Sequence, residues 1–232
     1  MIKDNKRKNS LKVSFETNRK WAFRSWILSS LLSLTRTNLL NMIDLHIDEK
    51  SLIVDMGCNI GYITRTVSLR ANAIGLDIDK YELRWAKKCN RKIDFVCCDL
   101  CHLPLRNDSV DIATCASIFE HVENLSQALK EIKFVLKKNG KLVAGYPIET
   151  RLLEIVIKLF LRSESQVWSQ HEVTKSKEHI SDPHVHKQNF LDIRKMLRKH
   201  FIPLKSRKIP QNFLPDLFSI YENVLLERNG NE

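Results

Sequence analysis

The sequence predicts an α/β fold in which a mostly parallel sheet is covered on both faces by helices. From residue 51 onward, short apolar runs alternate with segments of helical period, the order that builds successive βαβ units. The runs are apolar throughout rather than alternating with polar residues, as strands buried on both faces require. A chain of 232 residues with 43% hydrophobic content is long enough to bury such a core without disulfide or metal staples.

Residues 1–47 are read as a basic arm followed by one or two helices over 21–43, and residues 48–232 as the α/β domain. Strands are predicted at 52–55, 73–77, 95–98, 110–115 and 141–146, each a short run of apolar and β-branched residues. Between the fourth and fifth, Leu125, Ala128, Leu129, Ile132, Val135 and Leu136 share one helical face, and Gly140 stands where a left-handed C-cap belongs. An apolar helix is expected near 151–162, within a substrate-side insertion spanning about 150–187. A polar stretch rich in His, Ser and Glu follows, then a helix near 188–200 and a late strand at 219–227.

Composition excludes several classes. The six cysteines (Cys58, Cys89, Cys97, Cys98, Cys101, Cys115) lie mid-chain at spacings unsuited to a secreted disulfide framework, which points to a reducing, cytoplasmic setting. The basic start lacks a secretory signal's apolar run and cleavage site. The apolar runs 26–40 and 152–161 are broken by Arg36, Glu154 and Lys158 and are too short to span a bilayer. A net charge of +11 suits an anionic partner, a membrane surface met peripherally before nucleic acid. Because the basic residues are spread along the chain, an ordinary solvated surface accounts for most of that charge.

The densest signal is Ile53-Val54-Asp55-Met56-Gly57-Cys58-Asn59-Ile60-Gly61, an apolar strand that ends in an acid and turns through two glycines into a helix. Glycine permits the tight turn and a close ligand approach, at the strand end where open α/β sheets bind ligands. A dinucleotide site would carry a third glycine, and here Ile63 or Thr64 takes its place. A carboxylate beside the pocket favours a ligand with an ammonium and a sulfonium over one with two phosphates.

Asp77 ends the second strand twenty-two positions after Asp55, close to the roughly 20-residue step to a ribose-binding acid, and Ile78 follows it as an apolar platform for adenine. Asp99 stands twenty-two positions further on, at the end of the third strand. Its carboxylate is placed to accept from an exocyclic amino group, and the Leu100 N–H to donate to a ring nitrogen.

Together, D-M-G-C-N-I-G, G-L-D-I-D, C-D-L-C-H-L-P-L-R-N-D-S-V-D, F-E-H-V-E-N and L-K-K-N-G-K-L-V-A-G-Y-P resemble the class I S-adenosylmethionine-dependent methyltransferases, and most closely their type 11 branch, over residues 48–149. The resemblance implies a Rossmann-like, mostly parallel seven-stranded sheet with N-terminal helices and an inserted helical or loop lid after the fifth strand. It implies S-adenosyl-L-methionine as cofactor. It gives the methionine end to Asp55, Gly57 and Gly61, the ribose to Asp77, and adenine to Asp99 with Leu100. Asn59 stands where many members have glycine.

On the acceptor side, His121 in Glu120-His121 is the candidate general base, with a structural loop role as the alternative. Tyr146, His184 and His186 are candidate substrate-side residues, the two histidines in a loop lining the substrate mouth. Asp79 and Asp111 are read as helix-cap or packing acids. The C-x-x-C pair Cys98 and Cys101, beside Cys97 and His102, has no second pair at metal-site spacing, so no metal site is expected.

Methyl transfer from a sulfonium needs mainly alignment, so the lack of an obvious catalytic dyad does not count against an enzyme. The expected acceptor is a small molecule, a lipid or a glycan precursor. An RNA-modifying enzyme is the alternative, but Ala116-Ser117-Ile118-Phe119 stands where enzymes methylating base amino groups carry an Asn/Asp-Pro-Pro-aromatic motif. A non-catalytic, cofactor-binding partner subunit is the third reading, opposed by intact acids at all three strand ends.

Overall fold

A computed structural model describes residues 26–148, 186–210, 212 and 215–229. The basic arm, the expected helix near 151–162 and His184 lie outside them. The chain order is α1 (Trp26–Asp44), β1 (Leu52–Met56), α2 (Tyr62–Val67), β2 (Asn72–Asp77), α3 (Lys80–Cys89), β3 (Asp94–Cys97), β4 (Val110–Ala116), α4 (Leu125–Val135), β5 (Leu136–Pro147), α5 (Phe190–His200), β6 (Phe201–Ile209) and β7 (Tyr221–Arg228), with a 3₁₀ turn at Phe119–His121 and another at Asp216–Phe218.

The seven strands form one sheet in the order β3-β2-β1-β4-β5-β7-β6. Neighbours from β3 through β5 pair in parallel, and β7 runs antiparallel between β5 and β6. The sheet is therefore mostly parallel and Rossmann-like, as expected. The order reverses between β1 and β4, so their carboxyl ends open a crevice at the switch point.

Each face of the sheet is sealed by its own apolar cluster. On one, Leu39, Met42 and Ile43 of α1 pack with Ile53, Val67, Ile112, Val143 and Leu225. On the other, the stripe Leu125, Ala128, Leu129, Ile132 and Val135 of α4 meets Val54, Val110, Ala113 and Leu142, and Ile193 and Leu197 of α5 join them. Each fully buried leucine or isoleucine of these faces contributes about 1.5–3 kcal/mol relative to exposure. Asn223, fully buried on β7, donates from Nδ2 to the Thr35 carbonyl at 2.9 Å and so ties α1 to the sheet.

Two local expectations are corrected. The left-handed residue after α4 is Asn139 (φ 65°), not Gly140; a Cβ on Gly140 would lie 2.8 Å from the Lys137 carbonyl oxygen, so that glycine answers to crowding. The fifth strand begins at Leu136 rather than 141, directly at the end of α4, so Leu136 opens the strand instead of completing the helical face, and the β4–β5 register shifts between Val110 and Ile112. The strand β6 is not apparent in the sequence, because as an edge strand it exposes Ile202, Pro203 and Leu204 and tolerates a proline that a central strand would reject.

Candidate functional site

The turn after β1 is built from three left-handed residues, Gly57 (φ 72°), Asn59 (φ 49°) and Gly61 (φ 77°). Asparagine is among the few side-chain-bearing residues that enter this region readily, which explains how Asn59 replaces glycine; its own Oδ1 accepts from the Ile60 N–H at 2.7 Å. The Gly57 and Cys58 amides donate to the Leu76 carbonyl at 2.8 and 2.9 Å, pinning the turn to β2. A Cβ on Gly57 would lie 2.8 Å from Ile118. The close approach at this glycine is therefore made by the loop after β4.

Asp55 is buried, and both carboxylate oxygens face inward. Oδ2 accepts from the Thr64 amide (3.0 Å) and hydroxyl (2.6 Å), and Oδ1 from the Thr114 hydroxyl (2.8 Å). The acid joins β1, the first turns of α2 and β4 from behind the crevice. Burial outweighs these donors and holds its carboxyl above the ordinary range. Sequence spacing does not mark Thr64 and Thr114 as partners of Asp55; a buried acid's need for donors is the signal that points to them.

Asp77 lies at the crevice itself. Its Oδ2 accepts from the Asn59 amide at 2.7 Å and its Oδ1 from the Asp79 amide at 2.9 Å, while burial raises its carboxyl above the usual value. Ile78 is 69% exposed beside it. Asp99 is exposed just beyond β3 and caps its own turn by accepting from the Cys101 amide at 2.9 Å; Leu100 is buried. Since β1, β2 and β3 are parallel, the Gly57–Gly61 turn, Asp77 with Ile78, and Asp99 with Leu100 all stand at one edge of the sheet. Asp79 caps α3, accepting from the Tyr81 amide at 2.7 Å, and Asp111 accepts from the Leu52 amide and Lys137. Both are structural, as expected.

Beyond β4, Ser117 (φ 52°) shares a 2.7 Å hydrogen bond with the Tyr221 hydroxyl. Phe119 and Glu120 are buried. Residues 186–188 pack here. The Lys187 and Gln188 amides donate to the Glu120 carbonyl at 2.6 and 3.2 Å, and Gln188 Nε2 donates to the Val122 and Glu123 carbonyls at 3.3 Å each. His186 is thereby set edge-on against His121, with ring centroids 5.0 Å apart. Among the described residues, Glu120, His121 and His186 form one group whose side-chain donor atoms all lie within 4.8 Å of one another. Sequence spacing, which gave no expectation of a metal site, does not show a cluster assembled from two distant segments.

Tyr146 is corrected from the substrate side to the interior. It is fully buried, and its hydroxyl donates to Glu222 at 2.8 Å. Arg194 of α5 donates to the same carboxylate at 2.6 Å and to Asp216 at 2.7 Å, and Ser206 donates to Glu222 at 2.6 Å. Paired in this way, the group fastens α5 and β6 to β7. Arg194 and Lys208 hold the Asp216 carboxyl well below the ordinary range.

Residues 54–144 match the family model described as "Methyltransferase domain". An uncharacterized protein of Methanocaldococcus jannaschii is 37% identical over 92 residues, which cover 40% of this chain and 39% of that protein. An uncharacterized methyltransferase-like protein of Schizosaccharomyces pombe is 35% identical over 98 residues, 41% of this chain and 38% of that protein. The matched segment thus spans about two fifths of the length of these curated relatives. Among solved structures, the N-methyltransferase NodS from Bradyrhizobium japonicum, in complex with S-adenosyl-L-homocysteine, superposes with a TM-score of 0.61 at 13% identity, covering 91% of this chain and 95% of that one.

Proposed function

We propose that this chain, whose residues 54–144 match the family model described as a methyltransferase domain, is a class I methyltransferase that transfers a methyl group from S-adenosyl-L-methionine to a small-molecule, lipid or glycan-precursor acceptor. The observation that carries the proposal is the Asn59–Asp77 hydrogen bond, which joins the glycine turn and the acid after β2 into one surface at the switch point.

The residues present fit this cofactor. The strand-end groups facing the crevice are carboxylates, suited to hydroxyl and amino donors and to a cationic ligand, and the exposed Ile78 offers an apolar face to a purine. The turn Gly57, Asn59 and Gly61 would hold the methionine end, Asp77 the ribose hydroxyls, and Ile78, Asp99 and Leu100 the adenine. Asp55 acts as a positioning residue, holding the turn through Thr64 and Thr114.

When bound, S-adenosylmethionine supplies a methyl group already activated on a sulfonium. The protein's part is alignment and exclusion of water, which for well-oriented reactants accounts for on the order of 7–11 kcal/mol of a barrier. Ile118, lying over Gly57, closes the crevice on the β4 side. An acceptor that carries a proton would meet His121, three residues beyond Ile118, as the group to receive it. His186, set edge-on against His121, would line the acceptor side of the crevice.

The test is a methyl-transfer assay with labelled donor against cell extract divided into lipid, RNA and small-molecule pools. Label in the lipid or small-molecule pool is expected. Label confined to RNA would favour the nucleic-acid reading that the +11 charge supports, and no label with an intact cofactor site would favour a non-catalytic partner subunit.

A further inference from the structure

We propose that Glu120, His121 and His186 form a binding site for a divalent transition-metal ion at the acceptor side of the crevice. The chemistry of the set is the first ground. Two neutral imidazoles and one carboxylate leave a net positive charge on a divalent ion and at least one open coordination position, a combination that suits ions of the zinc, iron, manganese and cobalt group.

Geometry is the second ground. Two imidazoles bound at ~2.0–2.1 Å and near-tetrahedral angles place their ring centroids about 5 Å apart, and those of His121 and His186 are 5.0 Å apart with the planes inclined at 72°. The donor atoms of the three residues lie within 4.8 Å of one another, a spread that small side-chain rotations close to the ~3.3 Å edge of a tetrahedron built on such bonds.

Support of the ligands is the third ground. The backbone carbonyl of Glu120 accepts from the Lys187 and Gln188 amides, and the Gln188 side chain bridges to Val122 and Glu123. These bonds clamp the segment carrying His186 onto the loop carrying the other two ligands. Glu120 is 2% exposed, so its carboxylate is shielded from bulk water and held in place by the surrounding packing. The His121 amide donates to the Ile118 carbonyl at 3.0 Å, and Ile118 lies on Gly57. An ion here is thus one loop away from the proposed methionine end.

Its placement beside the acceptor rests on the methyltransferase reading; ion binding itself does not. In that setting the open position would take an oxygen of the acceptor, so the substrate class narrows to molecules presenting a hydroxyl or carboxylate. The ion would lower the pKa of a bound hydroxyl, taking over the task otherwise given to the His121 imidazole.

The experiment titrates the full-length, chelator-treated chain with Co²⁺ and follows visible absorption, with Zn²⁺ measured by competition against a chromophoric chelator. One equivalent of Co²⁺ is expected, with ligand-field bands and no thiolate charge-transfer band. Affinity should fall at least tenfold in His186→Ala, an exposed position that leaves the core untouched, and in the near-isosteric Glu120→Gln. S-adenosylhomocysteine affinity should stay within about twofold in both variants, which separates failure of the metal site from failure of the cofactor reading. Equal metal affinity in the parent and His186→Ala, a thiolate band assigning the ion to cysteine, or no binding at all would overturn the proposal.

Discussion

The Asn59 backbone amide donates to Oδ2 of Asp77 at 2.7 Å, so the acid proposed to hold the ribose also fixes the shape of the turn proposed to hold the methionine end. Asp77→Ala therefore removes a ligand contact and loosens the turn together. S-adenosylhomocysteine affinity should fall by about 1–3 kcal/mol, roughly 5- to 150-fold by calorimetry. Asp77→Asn keeps an acceptor for the Asn59 amide and should lie between parent and alanine variant. Unchanged affinity in Asp77→Ala would remove this residue from the site.

Gly57 faces two constraints that substitution can separate. Its φ of 72° costs a side-chain-bearing residue about 1–2 kcal/mol, and any Cβ would press on Ile118 at 2.8 Å. Gly57→Val should abolish cofactor binding in a folded protein. Gly57→Ala should weaken it less, and adding Ile118→Ala should recover only the steric part. Full recovery in the double variant, read from cofactor affinity, would show that backbone conformation does not matter here.

Asp55 gives the fold a pH dependence with a definite sign. Burial raises its folded carboxyl above the unfolded value, so the folded state binds the proton more tightly and stability is lost as pH rises from about 3.9, the unfolded value, through the raised folded one. Asp55→Asn does not titrate. In melts at stepped pH, the Tm difference should move in favour of Asp55→Asn across that window and level off above it. A difference independent of pH would contradict the assignment.

Arg194 should matter to stability rather than to the crevice. Its side chain is 17% exposed and that of its partner Glu222 only 6%, so Arg194→Met leaves a buried carboxylate without its cation, at a cost of about 3–5 kcal/mol. Arg194→Met/Glu222→Gln should recover part of this. Urea unfolding measures both, and a loss under about 1 kcal/mol in the single variant would show the pair to be screened by solvent.

Legibility in the sequence followed the physics of each feature. Strands buried on both faces, β1, β4 and β5 above all, announce themselves as apolar runs, and the bounds read for β1 to β5 lie within one or two residues of the structure apart from the start of β5; the exposed edge strand β3 is legible from the run Phe95-Val96-Cys97. The edge strand β6, half polar and carrying Pro203, has no such pattern. The turn was readable because left-handed backbone selects glycine and asparagine. Asp55 and Asp77 share one spacing rule, yet only the structure separates an acid turned inward to Thr64 and Thr114 from one facing the crevice. Tyr146 reads as available because its partners Glu222 and Arg194 lie far along the chain. The pairing of His121 with His186 is hidden for the same reason, since the two segments that the Glu120 carbonyl brings together lie far apart in the chain.

The central claim is that the edge formed by the Gly57–Gly61 turn, Asp77 and Asp99 holds an S-adenosyl ligand. Titration calorimetry of the full-length chain with S-adenosylhomocysteine, with NAD run in parallel, tests it most directly. Saturable one-to-one binding of S-adenosylhomocysteine, lost or strongly weakened in Asp77→Ala, and no heat from NAD are expected. NAD binding in competition with S-adenosylhomocysteine, or no S-adenosylhomocysteine binding by the folded chain, would contradict it.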